Sequence, residues 1–260
     1  MTVSVSAYRA AEGLSGTSAS KLWTNPTLWH FEQDPLNAKF CVRKSTPAME
    51  YGTAVHLAIL EPLEFSRRVV LLRHADSYAT KDGLAAKKEL SDLIESRKLA
   101  DPIVLKPIDL ASVERMAESF RRSWVDYNAE NFDALESFND AQKELPLFSH
   151  YSDIRDVNVK LKGQLDILST TGIVCDIKTT SAFDFFSRDI ERNGYDVQLS
   201  HYQLLAKDNK YNVKSNILFF AVESVPPFRC ATHLATIVPD KWCAALKNSS
   251  LPNGPWECRQ

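Results

Sequence analysis

Residues 159–178 read Val159-Lys-Leu-Lys-Gly-Gln-Leu-Asp-Ile-Leu-Ser-Thr-Thr-Gly-Ile-Val-Cys-Asp-Ile-Lys178. Apolar and polar side chains alternate on both sides of Ser169-Thr-Thr-Gly172, the period-2 pattern of two strands joined by a turn. In the first run Lys160, Lys162, Gln164 and Asp166 share one face, with Val159, Leu161, Leu165 and Ile167 on the other. In the second, Asp176 and Lys178 share a face, and Cys175 and Ile177 point away from it. An antiparallel hairpin follows, and its register decides what can be built on it. With Asp166 directly opposite Asp176, their Cβ atoms are about 5 Å apart. A one-residue slip sends one carboxylate to the wrong face. The facing register requires an odd loop, of three or five residues, rather than the four-residue turn that Ser169–Gly172 first suggests.

Two opposed carboxylates suit one or two oxygen-liganded divalent ions at a phosphodiester. Asp166 and Asp176, helped by the backbone carbonyl of Ile177, can hold magnesium at the scissile phosphate. Lys178 beside that metal can orient or deprotonate the attacking water and offset charge in the transition state. An aspartate and a lysine two apart on a strand are more often a solvated pair, so the reading depends on Asp166. Gln198 and Tyr202 stand four apart on a predicted helix and share a face. Alone they describe a helix surface with one aromatic anchor; beside the hairpin they become candidates for orienting Lys178 or a phosphate. His56 borders the apolar stripe of its helix, where a histidine is usually structural, yet a neutral imidazole can ligate a metal alongside carboxylates. Glu144, opening a strand before the hairpin, is a further candidate acidic ligand.

Lys160 and Lys162, on the face of Asp166, form a candidate cationic approach, as do Arg188 and Arg192 near the Gln198 helix and Arg67 and Arg68 after the His56 helix. Each cluster alone is ordinary surface; converging, they would track a phosphate backbone without reading bases.

The rest of the chain sets the frame. A length of 260 residues permits one large domain with a substantial core. A net charge of −2 neither favours nor excludes a nucleic-acid partner, because surface carboxylates can cancel a basic channel. The five cysteines are widely spaced without a C-x-x-C, which argues against a disulfide framework, structural zinc or an iron–sulfur cluster. No apolar run approaches a membrane span and no signal pattern opens the chain, so a soluble cytoplasmic protein is expected. Helices are expected near Ala19–Trp23 and over Ala48–Leu60, then two polar, solvated helices near Asp82–Leu99 and Pro107–Tyr127, capped by Asp82 and Asp109. Ser66–Leu72 reads as a strand. From Glu144 the pattern turns to β: Leu145–Tyr151, the hairpin, Asn216–Val222 and Cys230–Val238. Ser181 with Asp184 resembles a capping box opening a short helix; further helices are expected over Tyr195–Lys207 and Pro239–Lys247. Strands flanked by helices give an α/β or α+β core, read as a single domain with a helical part to about residue 140 and a sheet core over about 141–240.

With these residues in view, the sequence resembles the RecE-type exonucleases (exonuclease VIII) of the PD-(D/E)XK nuclease superfamily, relatives of the RecB nuclease domain. The resemblance is carried by His56 in Gly52-Thr-Ala-Val-His56, by Asp166, by Asp176-Ile-Lys178 and by Gln198-x-x-x-Tyr202. It extends to the segments GTAVHLAILEPLEFSRR and DIKTTSAFDFF, to Gly13-Leu-Ser with Leu22 and Asn25-Pro26, and to Leu251-Pro252 with Trp256. It implies a restriction-endonuclease-like core, a central mixed β-sheet flanked by helices. It makes His56, Asp166, Asp176 and Lys178 the active-site set, supported by Gln198 and Tyr202. It implies degradation of linear double-stranded DNA from the 5′ strand with magnesium (manganese substituting) and without ATP. A 3′ overhang would be left for a single-strand annealing partner in phage or prophage recombination, within a bacterial host cell. A ring-like homo-oligomer enclosing DNA is implied as well. Leu165 stands where the superfamily's name has proline, and the chain lacks the long N-terminal extension of some relatives, which leaves partner recruitment open. A structure-specific or restriction-like endonuclease, or a catalytically silent DNA-binding relative, is the competing reading.

Overall fold

The computed structural model describes residues 5–34, 36–37, 46–73, 79–99, 101–131, 135–152 and 158–236. Its centre is a mixed five-stranded sheet in the order β3-β4-β5-β6-β7, formed by β3 (Gln142–Ser152), β4 (Asn158–Leu168), β5 (Val174–Thr180), β6 (Asn216–Glu223) and β7 (Cys230–Thr236). Neighbours are antiparallel except β5 and β6, which run parallel. A parallel pair needs a crossover. Here it is supplied by a 3-10 turn at Phe183–Phe185, α8 (Phe186–Arg192) and α9 (Tyr195–Asp208).

Helices cover both faces, as expected of the restriction-endonuclease-like core. α4 (Pro47–Leu60) and α7 (Pro107–Glu130) pack on one side through Val55, Ile59, Met116 and Phe120, against Cys175 and Ile177 of β5 and Phe220 of β6. Trp124 stacks on Phe220 with ring centroids 5.5 Å apart. On the other side α2 (Gly16–Thr24), α8 and α9 bring Leu22, Phe186, Val197 and Leu205 against Leu161, Leu165, Val174 and Phe219. The remaining helices are α1 (Val5–Ala10), α3 (Pro26–Gln33), α5 (Pro62–Arg68) and α6 (Lys81–Ser96); β1 (Val69–Leu71) and β2 (Ile103–Leu105) form a small parallel pair.

Several expectations are corrected. Ser66–Arg68 is the last turn of α5, and the strand begins only at Val69. α7 is not a solvated helix: Val113, Met116, Ala117, Phe120 and Trp124 form a buried stripe at helical spacing. Thr80, not Asp82, caps α6 by accepting from Gly83 N at 3.2 Å. Asp109 sits in the first turn of α7 and accepts from Lys106 N at 3.3 Å. The capping box at Ser181 and Asp184 does not form; Asp184 instead pairs with Arg229 at 3.0 Å. The helix expected over Pro239–Lys247, like Phe40, Cys41, Cys243, Cys258 and the Leu251–Trp256 segment, lies outside the described residues.

The hairpin has the odd loop. Ile167 pairs with Cys175 and Leu168 with Val174, leaving the five residues Ser169–Ile173 between them. The alternation of β4 is nonetheless broken: Leu161 and Leu165 enter the core under α2 and α9, whereas Ile167 enters the core under α4 and α7. The strand turns over at Asp166. Its neighbour β3 does the same at Glu144, whose φ of +49° is a left-handed conformation rare for a residue with a Cβ.

Candidate active site

The register around the two turning points sets a row of carboxylates. Lys143 pairs with Ile167 and Leu145 with Leu165, so Glu144 stands across from Asp166. Extending the Ile167–Cys175 register by one residue sets Asp166 across from Asp176. Glu144, Asp166 and Asp176 therefore occupy one level of three adjacent strands. β4 and β5 part here. The Asp166 carboxylate enters the fork and accepts the backbone N–H of Ile177 at 2.8 Å. The β4 edge is taken up by the N-terminal segment: Leu14 bridges to Leu161, donating from its N–H to Lys160 O at 2.8 Å and accepting from Lys162 N at 3.0 Å.

α4 brings His56 over this row. Thr46 accepts from Met49 N at 3.3 Å to start the helix, Pro47 fixes its first turn, and the apolar residues Ala54–Leu60 seat it. His56 Nδ1 lies 3.7 Å from Asp166 Oδ2. One ligand atom each from His56, Glu144 and Asp166 fall within 4.8 Å of one another, a spacing a single cation can bridge. These three line an open cleft of about 380 Å³ together with Tyr8, Gln164 and Tyr202.

Asp176 is almost wholly buried, at 1% exposure. Its Oδ2 lies 2.5 Å from Lys178 Nζ, a charge-assisted contact, whereas its Oδ1 has no hydrogen-bond partner among the described residues. A buried carboxylate oxygen without a donor is costly and rare. Oδ1 is the kind of hard oxygen ligand a divalent ion takes; His56, Glu144 and Asp166 form a group spaced to hold such an ion, with Asp176 opposite Asp166 on the next strand. The Ile177 carbonyl belongs to the residue between Asp176 and Lys178, whose side chain is fully buried under α4 and α7.

Electrostatics record the crowding of like charge. Burial, then the charges of Asp166 and Glu61, pushes Glu144 up to about 8, against a hydrogen bond donated by Gln164 Nε2 at 2.5 Å. Burial pushes Asp176 up to about 6, although Lys178 pulls the other way. At Lys178 burial works to lower the ammonium pKa, but Asp176 and Asp166 outweigh it and the net shift is upward. Its Nζ also lies 4.9 Å from the centre of the Tyr195 ring. A cation bound among these carboxylates would offset the burial and the lesser repulsion that together raise the two acids.

Residues 32–247 match the model of a family described as a PDDEXK-like domain of unknown function, DUF3799. The chain belongs to that family. No curated protein sequence matches it. Among solved structures, a Eubacterium rectale protein described as a "Putative exonuclease" is similar to this chain, with a TM-score of 0.53 at 12% identity, covering 95% of this chain and 82% of that one. A structure described as SSO0001 aligns with a TM-score of 0.33 at 13% identity, over 82% of this chain and 89% of that one. The first likeness shows a shared fold over nearly the whole chain.

In this PDDEXK-like domain Gln198 and Tyr202 act on each other before anything else. Gln198 Nε2 donates to Tyr202 Oη at 2.8 Å, and both are buried. Burial, then Asp176 and Asp166, holds the Tyr202 phenol well above its ordinary value, so it is protonated. Two glycines make room for the tyrosine. A Cβ at Gly16 would lie 2.8 Å from Tyr202 Cε1 and 3.0 Å from Gln198 Cγ, and one at Gly163 would lie 3.1 Å from Tyr202 Cδ1.

The basic residues are used elsewhere. Lys160 pairs with Glu12 at 2.7 Å, and Lys162 donates to the carbonyl of Ala11 at 2.6 Å. Arg188 lies over the Phe185 ring, Arg192 is 3.9 Å from Asp189, and Arg67 and Arg68 pair with Glu64 and Asp101. Among the described residues no lysine or arginine lines the cleft. Tyr8 carries no signal of period or motif, and its place in the cleft is visible only once Leu14 is seen on β4. Gln164, by contrast, shares the alternating face of Asp166, and that spacing could have marked it as a site residue.

Proposed function

We propose that this PDDEXK-like chain is a divalent-metal-dependent nuclease that degrades linear double-stranded DNA from its ends. The observation that carries the reading is the buried Asp176, opposite Asp166, with one carboxylate oxygen paired to Lys178 and the other without a hydrogen-bond donor among the described residues. His56, Glu144, Asp166 and Asp176 would hold the ion, with the Ile177 carbonyl as a further ligand. Bound there, a magnesium or manganese ion supplies a polarised phosphate and a water of lowered pKa. Lys178 places a cation beside the attacking water and offsets the charge that develops on the phosphate. Asp176 fixes that ammonium, and Gln198 holds Tyr202 at the wall of the cleft.

The exonuclease mode, 5′-to-3′ polarity, ATP independence, the ring and the annealing partner draw support from the motif series His56, Asp166, Asp176-Ile-Lys178 and Gln198-x-x-x-Tyr202 and belong to this proposal. So does the reading of the chain as one domain. Incubation with magnesium and matched linear and covalently closed circular duplexes tests it. Loss of the linear form alone, with 3′ overhangs accumulating, is expected. Cleavage of the closed circle moves the assignment to an endonuclease, and binding without cleavage of either form moves it to a silent relative.

A further inference from the structure

We propose that the Tyr8 hydroxyl is a direct substrate contact, donating a hydrogen bond to a non-bridging oxygen of the phosphate held in the cleft. The assignment rests on the nuclease reading above. Tyr8 belongs to α1, ahead of the residues 32–247 that define the family match, so the family itself does not assign it. It nonetheless lines the same cleft as His56, Glu144 and Asp166.

Its position is built by the fold. The Leu14–Leu161 bridge ties the segment to β4. Lys162 Nζ then donates to Ala11 O at 2.6 Å and to Tyr8 O at 3.4 Å, bracing the end of α1 from beneath. The ring is already engaged: Lys162 Nζ lies 5.3 Å from its centre, and the Phe148 ring packs at 5.9 Å. The hydroxyl is different. It has no hydrogen-bond partner among the described residues. A ring fixed by its neighbours carries an unused O–H at a cleft that holds Glu144, Asp166 and the His56 imidazole, and whose Gln164 amide and Thr53 hydroxyl already donate to Glu144 and to Met49 O; it is a donor available to an anion from outside the chain. A phosphate oxygen is the anion that the nuclease reading brings there. The other cleft phenol, Tyr202, is buried and held by the Gln198 amide, so Tyr8 is the more accessible of the two.

Tyr8→Phe removes the hydroxyl and keeps the ring, its contact with Lys162 and its packing on Phe148. Steady-state degradation of a linear duplex in magnesium is measured for wild type, Tyr8→Phe and Tyr8→Ala, with Tm for each. The expected result is a kcat lowered about tenfold in Tyr8→Phe, the loss of one hydrogen bond to a charged group, with unchanged Tm. Tyr8→Phe equal to wild type in kcat and KM overturns the assignment, whether Tyr8→Ala is impaired or not, because the ring would then be a support only. A wild type that cuts no DNA overturns the nuclease reading and this assignment together.

Discussion

The Asp166 carboxylate accepts the backbone N–H of Ile177 at the fork where β4 and β5 part, 2.8 Å from oxygen to nitrogen. One side chain thus ties the two strands together below the point where their ladder ends, and offers its remaining valence to His56 and the cleft. Asp166→Ala should cost stability as well as activity. Leaving a buried N–H unpaired costs about 1–3 kcal/mol. Chemical denaturation of the metal-free protein checks this; an unchanged midpoint would show that the fork is held by packing alone.

Lys178→Ala should lower the cleavage rate by about 100-fold or more, roughly 2.7 kcal/mol of transition-state stabilisation, while DNA affinity changes far less. Single-turnover rates and anisotropy on the same duplex separate the two effects. Near wild-type turnover would return Lys178 to the role of a simple partner for Asp176.

Magnesium or manganese should raise Tm, and excess EDTA should reverse the rise and abolish cleavage. At a hundredfold excess over Kd the gain is about 2.7 kcal/mol. In Asp176→Asn the metal-dependent gain should shrink sharply, since the substitution removes the charge among these ligands. A full metal response in that variant would place the ion elsewhere.

Gly16→Ala should reach the site through packing. The added methyl meets Tyr202 and Gln198 within 3.0 Å, and an overpacked contact costs about 1–3 kcal/mol. Activity should fall with stability, and Gly16→Ser should be at least as damaging. If Tm holds while activity stays at wild type, α2 and α9 are looser than their contact implies.

His201 gives a pH dependence with a defined sign. It is fully buried, its Nε2–H donates to Lys162 O at 2.9 Å, and burial holds its pKa down at about 4. Between its ordinary 6.5 and about 4 the unfolded chain binds the proton and the folded chain does not. Stability is therefore intact above 6.5 and lost as pH falls through that window, on the order of 3 kcal/mol from this group. The difference in stability between wild type and His201→Asn, followed from pH 7 to pH 4, isolates it from the carboxylates. A difference that does not vary with pH would mean that the imidazole takes up its proton in the fold as readily as in the unfolded chain.

The hairpin and the face shared by Asp176 and Lys178 were legible because a period of two leaves only the loop length to settle, and Leu168 and Val174 settle it at five residues. The helices carrying His56 and Gln198 were legible from apolar spacing. The burial of α7 was written in Val113, Met116, Ala117, Phe120 and Trp124, but a narrow stripe among many charges is easily read as a solvated helix. What the sequence conceals is the turnover at Glu144 and Asp166. A left-handed glutamate has no local signature; it is imposed by three strands meeting two helices. Tyr8 was invisible for the same reason, since its neighbours in space are far away in the chain.

The Leu14–Leu161 bridge joins positions separated by more than half the chain's length. During synthesis the segment that seals the edge of β4 is made first and must wait for that edge to exist. Until it docks, β4 presents unpaired backbone groups that a second nascent chain could match as readily. The contact that positions Tyr8 beside the cleft thus also covers an edge through which newly made copies could join, and trimming the residues around Leu14 should show itself first as aggregation during expression.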